Sequence, residues 1–229
     1  MIKKIEVKNL YFGFKKSEEK LLKGIDLTVQ RGEIIAIVGL SGSGKSTLCA
    51  LISGVIPRIK QGDAQGEILI DGTSLKELSM PHLVKKVGVI FQNPDTQLFS
   101  PTVEDEIAFG PENFGLPREE IGKRISEVIN KVGIKKHRFK NPKMLSGGEK
   151  QLVALASVLS LKPDILIFDE ALSQLDLYEK NKILDLIKTL KAEGKTIIMV
   201  EHDFDNLKVA DRVMLLKNGK LSDFRGETL

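Results

Sequence analysis

"IIAIVGLSGSGKST", residues 34–47, runs from five consecutive apolar residues into a turn of glycines and serines that ends in Lys45, Ser46 and Thr47. The unbroken, β-branched run Ile34–Val38 predicts a strand buried on both faces, and the apolar pattern after Lys45 predicts a helix. In that setting a G-x-x-x-x-G-K-[ST] turn is a phosphate cradle. Gly39, Gly42 and Gly44, with Ser41 and Ser43 between them, let successive backbone N–H groups point inward. Lys45 brings a point charge to the β and γ phosphates of a nucleotide, and Ser46, followed by Thr47, offers a hydroxyl to Mg²⁺. A plain Gly-Ser loop would not explain the lysine.

Further short apolar runs surround this unit: "VGVIF" (87–91), "ILIF" (165–168), "TIIMV" (196–200) and "RVMLL" (212–216) predict buried strands of a largely parallel sheet. Helical patterns alternate with them. In "YEKNKILDLIKTLKAEG", residues 178–194, Ile183, Leu184, Ile187 and Leu190 form one apolar face, Asp176 stands near the start and Gly194 closes the end. The fold class is therefore α/β. From about Gln92 to Ser160 no buried strand is evident, and "REEIGKRISEVINKVG" (118–133) repeats Ile121, Ile125, Val128 and Ile129 at helical spacing. This predicts a helical subdomain (about 92–160) inserted into a core of about 1–91 and 161–229, within a single 229-residue domain. Near the N-terminus "IKKIEVKNL" and "LLKGIDLTVQRGE" alternate apolar and polar positions as half-buried antiparallel strands do.

Composition narrows the function classes. A hydrophobic content of 41% is ordinary for a chain with a real core. The single cysteine, Cys49, lies in an apolar helical stretch and reads as a buried thiol of a cytosolic protein. No apolar run reaches the roughly 18–20 residues of a membrane span, and "MIKKIEVKNL" lacks the form of a signal peptide. The net charge of +4 comes from 35 basic and 31 acidic residues interleaved along the chain, and the densest basic run, "KKHR" (135–138), reads as a solvated loop rather than a nucleic-acid patch. A basic bias equally suits an anionic membrane surface.

Other strand ends carry chemistry. "ILIFDE" places Asp169 and Glu170 where open α/β sheets bind ligands: the first suits Mg²⁺, directly or through water, and the second suits polarising an attacking water. His202 in "MVEHD" follows another strand and is placed to touch a γ-phosphate and sense its loss. Gln92, after "VGVIF", carries an amide able to reach Mg²⁺ or the attacking water. "LSGGEK", residues 145–150, reads as a second anion-facing helix start, with Ser146 as cap and Gly147 and Gly148 opening the backbone to a ligand.

"GLSGSGKST", "LSGGEKQ", "ILIFDE", "SQLD" (173–176) and His202 follow one another as in ATP-binding cassette (ABC) ATPases, and the resemblance covers essentially the whole chain. It implies a P-loop NTPase with a RecA-like core, antiparallel β elements and a helical subdomain, with ATP and Mg²⁺ as ligands. It also implies two ATP molecules sandwiched between two head-to-tail subunits. "LSGGEK" would then serve ATP held by a neighbour, and Asp176 would be a further nucleotide-binding residue. Catalysis would fall to Glu170, His202 and Gln92, Mg²⁺ binding to Ser46, Gln92 and Asp169. The family's adenine-stacking aromatic corresponds to Phe14 when "NLYFGF" is aligned simply, with Tyr11 as the other candidate.

More narrowly, "FQNPDTQLFSPTVEDEIAFGPENFGLP", residues 91–117, resembles the ATPase subunits of energy-coupling factor importers. That resemblance implies uptake of a vitamin or transition-metal ion. The partners would be a second ATPase (the same chain or a paralogue), a transmembrane coupling subunit and a substrate-binding membrane protein, with the motor peripheral on the cytoplasmic face and no nucleic acid bound. Leu98 and Phe99 are its candidate docking residues. Leu152 stands where the family often has arginine. Many members carry a C-terminal extension that helps dimerisation, whereas this sequence stops at Leu229, so a weaker dimer without ATP is expected. Two alternatives compete: a soluble ABC ATPase acting on nucleic acid or ribosomes, and the ATPase of another ABC transporter class. No heptad run or second cassette supports the first. A GTPase would require N-K-x-D, and "NKILD" (181–185) is one residue too long.

Overall fold

A computed structural model describes residues 2–15, 19–58, 62–224 and 226; Leu229, on which the expectation of a weaker nucleotide-free dimer rests, lies outside them. The ten strands among the described residues make two sheets. One is antiparallel, in the order β2 (Leu22–Gln30), β1 (Lys3–Gly13), β4 (Asp63–Ile70), β5 (Thr73–Ser74). The other runs β10 (Lys220–Asp223), β9 (Arg212–Lys217), β3 (Ile34–Val38), β8 (Thr196–Val200), β7 (Ile165–Asp169), β6 (Val87–Phe91). It is parallel from β9 to β6, with β10 antiparallel on its edge.

The period-2 geometry of the central strands divides the core into two layers. Ile35 and Ile37 of β3, Ile165 and Ile167 of β7, and Ile198 and Val200 of β8 face one cluster, shared with α1 (Lys45–Ile52) and the antiparallel sheet. Leu166, Phe168, Ile197 and Met199 face the other, packed on α4 (Val103–Asn113), α5 (Arg118–Val132), α6 (Gly147–Leu159) and α7 (Leu177–Ala192). The short helices α2 (Val55–Arg58) and α3 (Met80–Lys86) complete the set.

Between β6 and β7 the described chain holds helices and no strand. Ile121, Ile125, Val128 and Ile129 are all buried on α5, which Gly133 ends at φ 73°. In α7 the Asp176 side chain accepts from Glu179 N at 2.8 Å and so caps the helix.

Two expectations change. β9 is only partly buried, Arg212 and Val213 being half exposed, because its outer neighbour is the short exposed strand β10. "KKHR" is not a solvated loop throughout: His137 is buried beside Glu149, and Arg138 makes a two-pronged pair with Glu104 at 2.7 and 2.9 Å. Residues 63–86, which carry no clear periodicity, supply β4, β5 and α3. Only Ile68, Leu69 and Ile70 of β4 are buried, so its first five residues leave no alternation to read.

Candidate active site

Every parallel strand that was expected to carry chemistry ends at the same edge of the sheet. The phosphate loop follows β3, Gln92 follows β6, Asp169 ends β7 with Glu170 after it, and Glu201 and His202 follow β8. Phe91 pairs in register with Asp169, and Asp169 with Val200, which aligns the three ends.

The loop requires its glycines. Gly39 has φ 151°, and a Cβ there would lie 2.3 Å from Leu216 O; Gly44, capping α1, has φ 105°. Lys45 is buried, and its ammonium donates to Gly39 O at 2.9 Å and Leu40 O at 3.0 Å, with Glu170 Oε1 at 3.9 Å. Burial pushes the amine's pKa down, and the carboxylates of Glu170 and Asp169 oppose the shift. Ser43 Oγ is buried in the cradle without a hydrogen-bond partner, as a hydroxyl awaiting an anion should be.

Ser46 Oγ donates to Asp169 Oδ1 at 2.8 Å, so hydroxyl and carboxylate share one point at the sheet edge. These are hard oxygen donors of the type Mg²⁺ takes together with water and phosphate oxygens. Glu170 has φ 53°, an uncommon conformation for a non-glycine residue. It is held there by Ser173, whose N and Oγ both donate to Glu170 O, and by its own N–H to Val200 O. His202 Nε2 lies 2.7 Å from Glu170 Oε1. Gln92 Nε2 donates to Ser173 Oγ at 3.2 Å.

An open cavity of about 1070 Å³ lies over the loop, lined also by Phe14, Lys20, Leu21, Glu170 and Asn218. Phe14 is 42% exposed there and meets Phe12 edge to face at 4.9 Å. Tyr11 instead packs on Gly24, where a Cβ would sit 3.0 Å from its hydroxyl, and takes Lys20 Nζ over its ring. Of the two aromatics, Phe14 faces the nucleotide cavity.

Ser146, Gly147 and Gly148 open α6, and Ser146 forms a full capping box with Glu149. Ser146 and Gly148 line a second, smaller cavity with Asp176 and Glu179 rather than the cavity over Lys45. The phosphate loop and the "LSGGEK" helix of one chain therefore belong to separate pockets. Leu152 is 5% exposed and packs in the helical core, so this chain uses the position for apolar contact.

Sequence reasoning took Ser173 only as the first residue of "SQLD" and missed its role as the clamp joining Glu170 to Gln92. It also missed Gln151, which is 1% exposed and donates to Phe91 O at 2.9 Å, tying α6 to the end of β6. A polar residue on the apolar face of α6 was the available signal for Gln151.

A family model described as ABC transporter matches residues 22–173. The chain belongs to the ABC transporter ATPase family, enzymes that couple ATP hydrolysis to transport. It is 43% identical over 220 residues to the energy-coupling factor transporter ATP-binding protein EcfA1 of Ligilactobacillus salivarius, covering 96% of this chain and 76% of that protein. Among solved structures it is similar to cbiO1 from Clostridium perfringens, part of the ABC transporter complex cbiONQ (TM-score 0.87, 34% identity, 97% of this chain and 88% of that one). It is also similar to MJ0796, a dimeric bacterial ABC transporter cassette (TM-score 0.81, 31% identity, 97% and 100%).

Proposed function

We propose that the chain is the ATP-hydrolysing motor of an energy-coupling factor importer, taking up a vitamin or transition-metal ion by ATP-dependent closure of two ATPase subunits. The observation that carries the reading is the convergence of Lys45, Ser46, Asp169, Glu170 and His202 on one sheet edge, with the "LSGGEK" helix facing a different pocket. A cassette divided in this way suits a head-to-tail pair, in which each α6 start closes on the neighbour's nucleotide. The similarity to EcfA1 and to cbiO1 supports the importer type, and the dimeric MJ0796 cassette supports the pairing.

In the closed pair, Phe14 stacks on adenine and the loop N–H groups and Lys45 hold the phosphates. Ser46 and Asp169, with Gln92, would hold Mg²⁺, which when bound neutralises charge on the β and γ phosphates. Glu170 accepts the proton of the attacking water, and His202 fixes the carboxylate that does so. Residues 92–160, the helical subdomain, carry the motion to the membrane partners. Among the described residues no helix is long and apolar enough to cross a membrane, so the motor is peripheral and needs a transmembrane coupling subunit and a substrate-binding membrane protein.

The test is affinity purification of the tagged chain from membranes of its native cells. Recovery of a second ATPase with integral membrane proteins, and ATP-dependent uptake by that assembly, is the expected result. Recovery of nucleic acid or ribosomes instead would overturn the reading.

A further inference from the structure

The start of α6 already holds an anion. Ser146 Oγ donates to Glu179 Oε1 at 3.3 Å, and a Cβ at Gly148 would lie 2.0 Å from the Glu179 carboxylate carbon. The carboxylate of α7 thus rests directly on Gly148 at the amino end of α6, the end where unpaired N–H groups and the helix dipole favour negative charge. Glu179 is half buried, and its backbone is fixed by the Asp176 cap, so only its side chain is free to leave.

We propose that Glu179 is a resident counter-anion of the "LSGGEK" helix, which the γ-phosphate of the partner's ATP must displace for the subunits to close. This rests on the reading that the helix serves a neighbour's nucleotide. The Glu149 carboxylate already accepts from Ser146 N at 3.1 Å, so a γ-phosphate brought to the same helix start competes with Glu179 for the Ser146 hydroxyl and is repelled by both carboxylates. Glu179 therefore keeps the helix start satisfied in the open subunit and raises the ATP concentration at which closure occurs. It acts as a positioning residue for the reaction, touching the donor group and not the reacting atoms.

The experiment uses the assembled complex with lesions distributed over its two ATPase subunits. One subunit carries Lys45→Ala and lends its helix; the other carries Ser146→Arg and keeps its phosphate loop, so one composite site remains. ATP occlusion is read as labelled nucleotide retained through rapid filtration. Glu179→Ala in the lending subunit, which removes both the charge and the acceptor, should lower the half-saturating ATP concentration about three- to tenfold, the weight of one competing hydrogen bond. The same change in the Ser146→Arg subunit should do nothing. Glu179→Asp, charged but one carbon too short to reach Ser146 Oγ, should match the alanine variant. Equal effects from both placements, or an aspartate variant that tracks the parent, would overturn the counter-anion role while leaving the shared site intact. Loss of occlusion in the parent mixed complex would instead overturn the reading on which it rests.

Discussion

His202 Nε2 stands 2.7 Å from Glu170 Oε1, a single contact that joins the residue after β7 to the turn after β8. An imidazole nitrogen at that distance orients the carboxylate and leaves its second oxygen for water. The left-handed backbone at Glu170, clamped by Ser173, aims the side chain over Lys45.

Removing the carboxylate as a base should therefore abolish turnover while sparing nucleotide binding. Glu170→Gln is expected to lower kcat by about 10²- to 10⁴-fold in the assembled complex, with ATP affinity near the parent's. Hydrolysis at the parent rate would assign the base elsewhere.

Phe99 and Phe109 meet edge to face at 4.7 Å, yet they are 62% and 47% exposed. Leu98, the neighbour paired with Phe99 on sequence grounds, packs against the helical core instead. Phe99→Ser should impair transport without altering ATP binding or melting temperature, whereas Leu98→Ser should lower the melting temperature. Transport and ATPase measured together decide it: unchanged uptake by the Phe99 variant removes the docking role.

The strands of the parallel sheet and the strand-end residues were legible because each depends on local pattern: unbroken apolar runs, then glycine, acid, histidine or amide. Two things were not. Residues 63–70 pair with β1 but expose their first half, so the period that marks a half-buried strand never develops. The Ser173 and Glu179 contacts arise from side chains brought together across 81 and 33 residues, and neither partner can be read from the local sequence, although Ser173 opens "SQLD".

Packing of β6 under α6 sets a stability prediction. Gly88 lies in β6, and a Cβ there would come 2.2 Å from Val158 Cγ1 and 3.1 Å from Pro163. Gly88→Ala should destabilise the chain by about 1–3 kcal/mol through overpacking, read by denaturant midpoint. Adding Val158→Ala should recover most of that loss, since the two sites share one contact.

Glu201, 3% exposed beside the switch histidine, has its carboxyl pKa raised by burial, against opposing hydrogen bonds from Asn206 and the His202 backbone. A raised value means that the folded chain holds this proton more tightly than the unfolded one. The associated stability is complete below the ordinary carboxylate range and is lost as pH rises through the folded value. Glu201→Gln should therefore gain over the parent at pH 7 and lose that advantage near pH 4, in paired thermal melts. A difference independent of pH would show that the carboxylate is neutralised by other means.

The separation of the two pockets makes the "LSGGEK" helix testable as a donor to a second chain. Lys45→Ala removes the ammonium from a subunit's own phosphate loop. Ser146→Arg removes the cap that receives Glu149 N and puts bulk and positive charge at the helix start, spoiling only what the subunit lends. Each variant present in both ATPase subunits should fail to occlude ATP. Combined in one complex, with one lesion per subunit, they leave one site that is doubly damaged. The other joins an intact phosphate loop to an intact helix. That complex should recover occlusion at about half the parent stoichiometry. Occlusion is the sharper readout, because turnover that needs both sites would stay low even with one site restored. Verified mixed complexes that trap no ATP would place the "LSGGEK" helix in the service of its own chain.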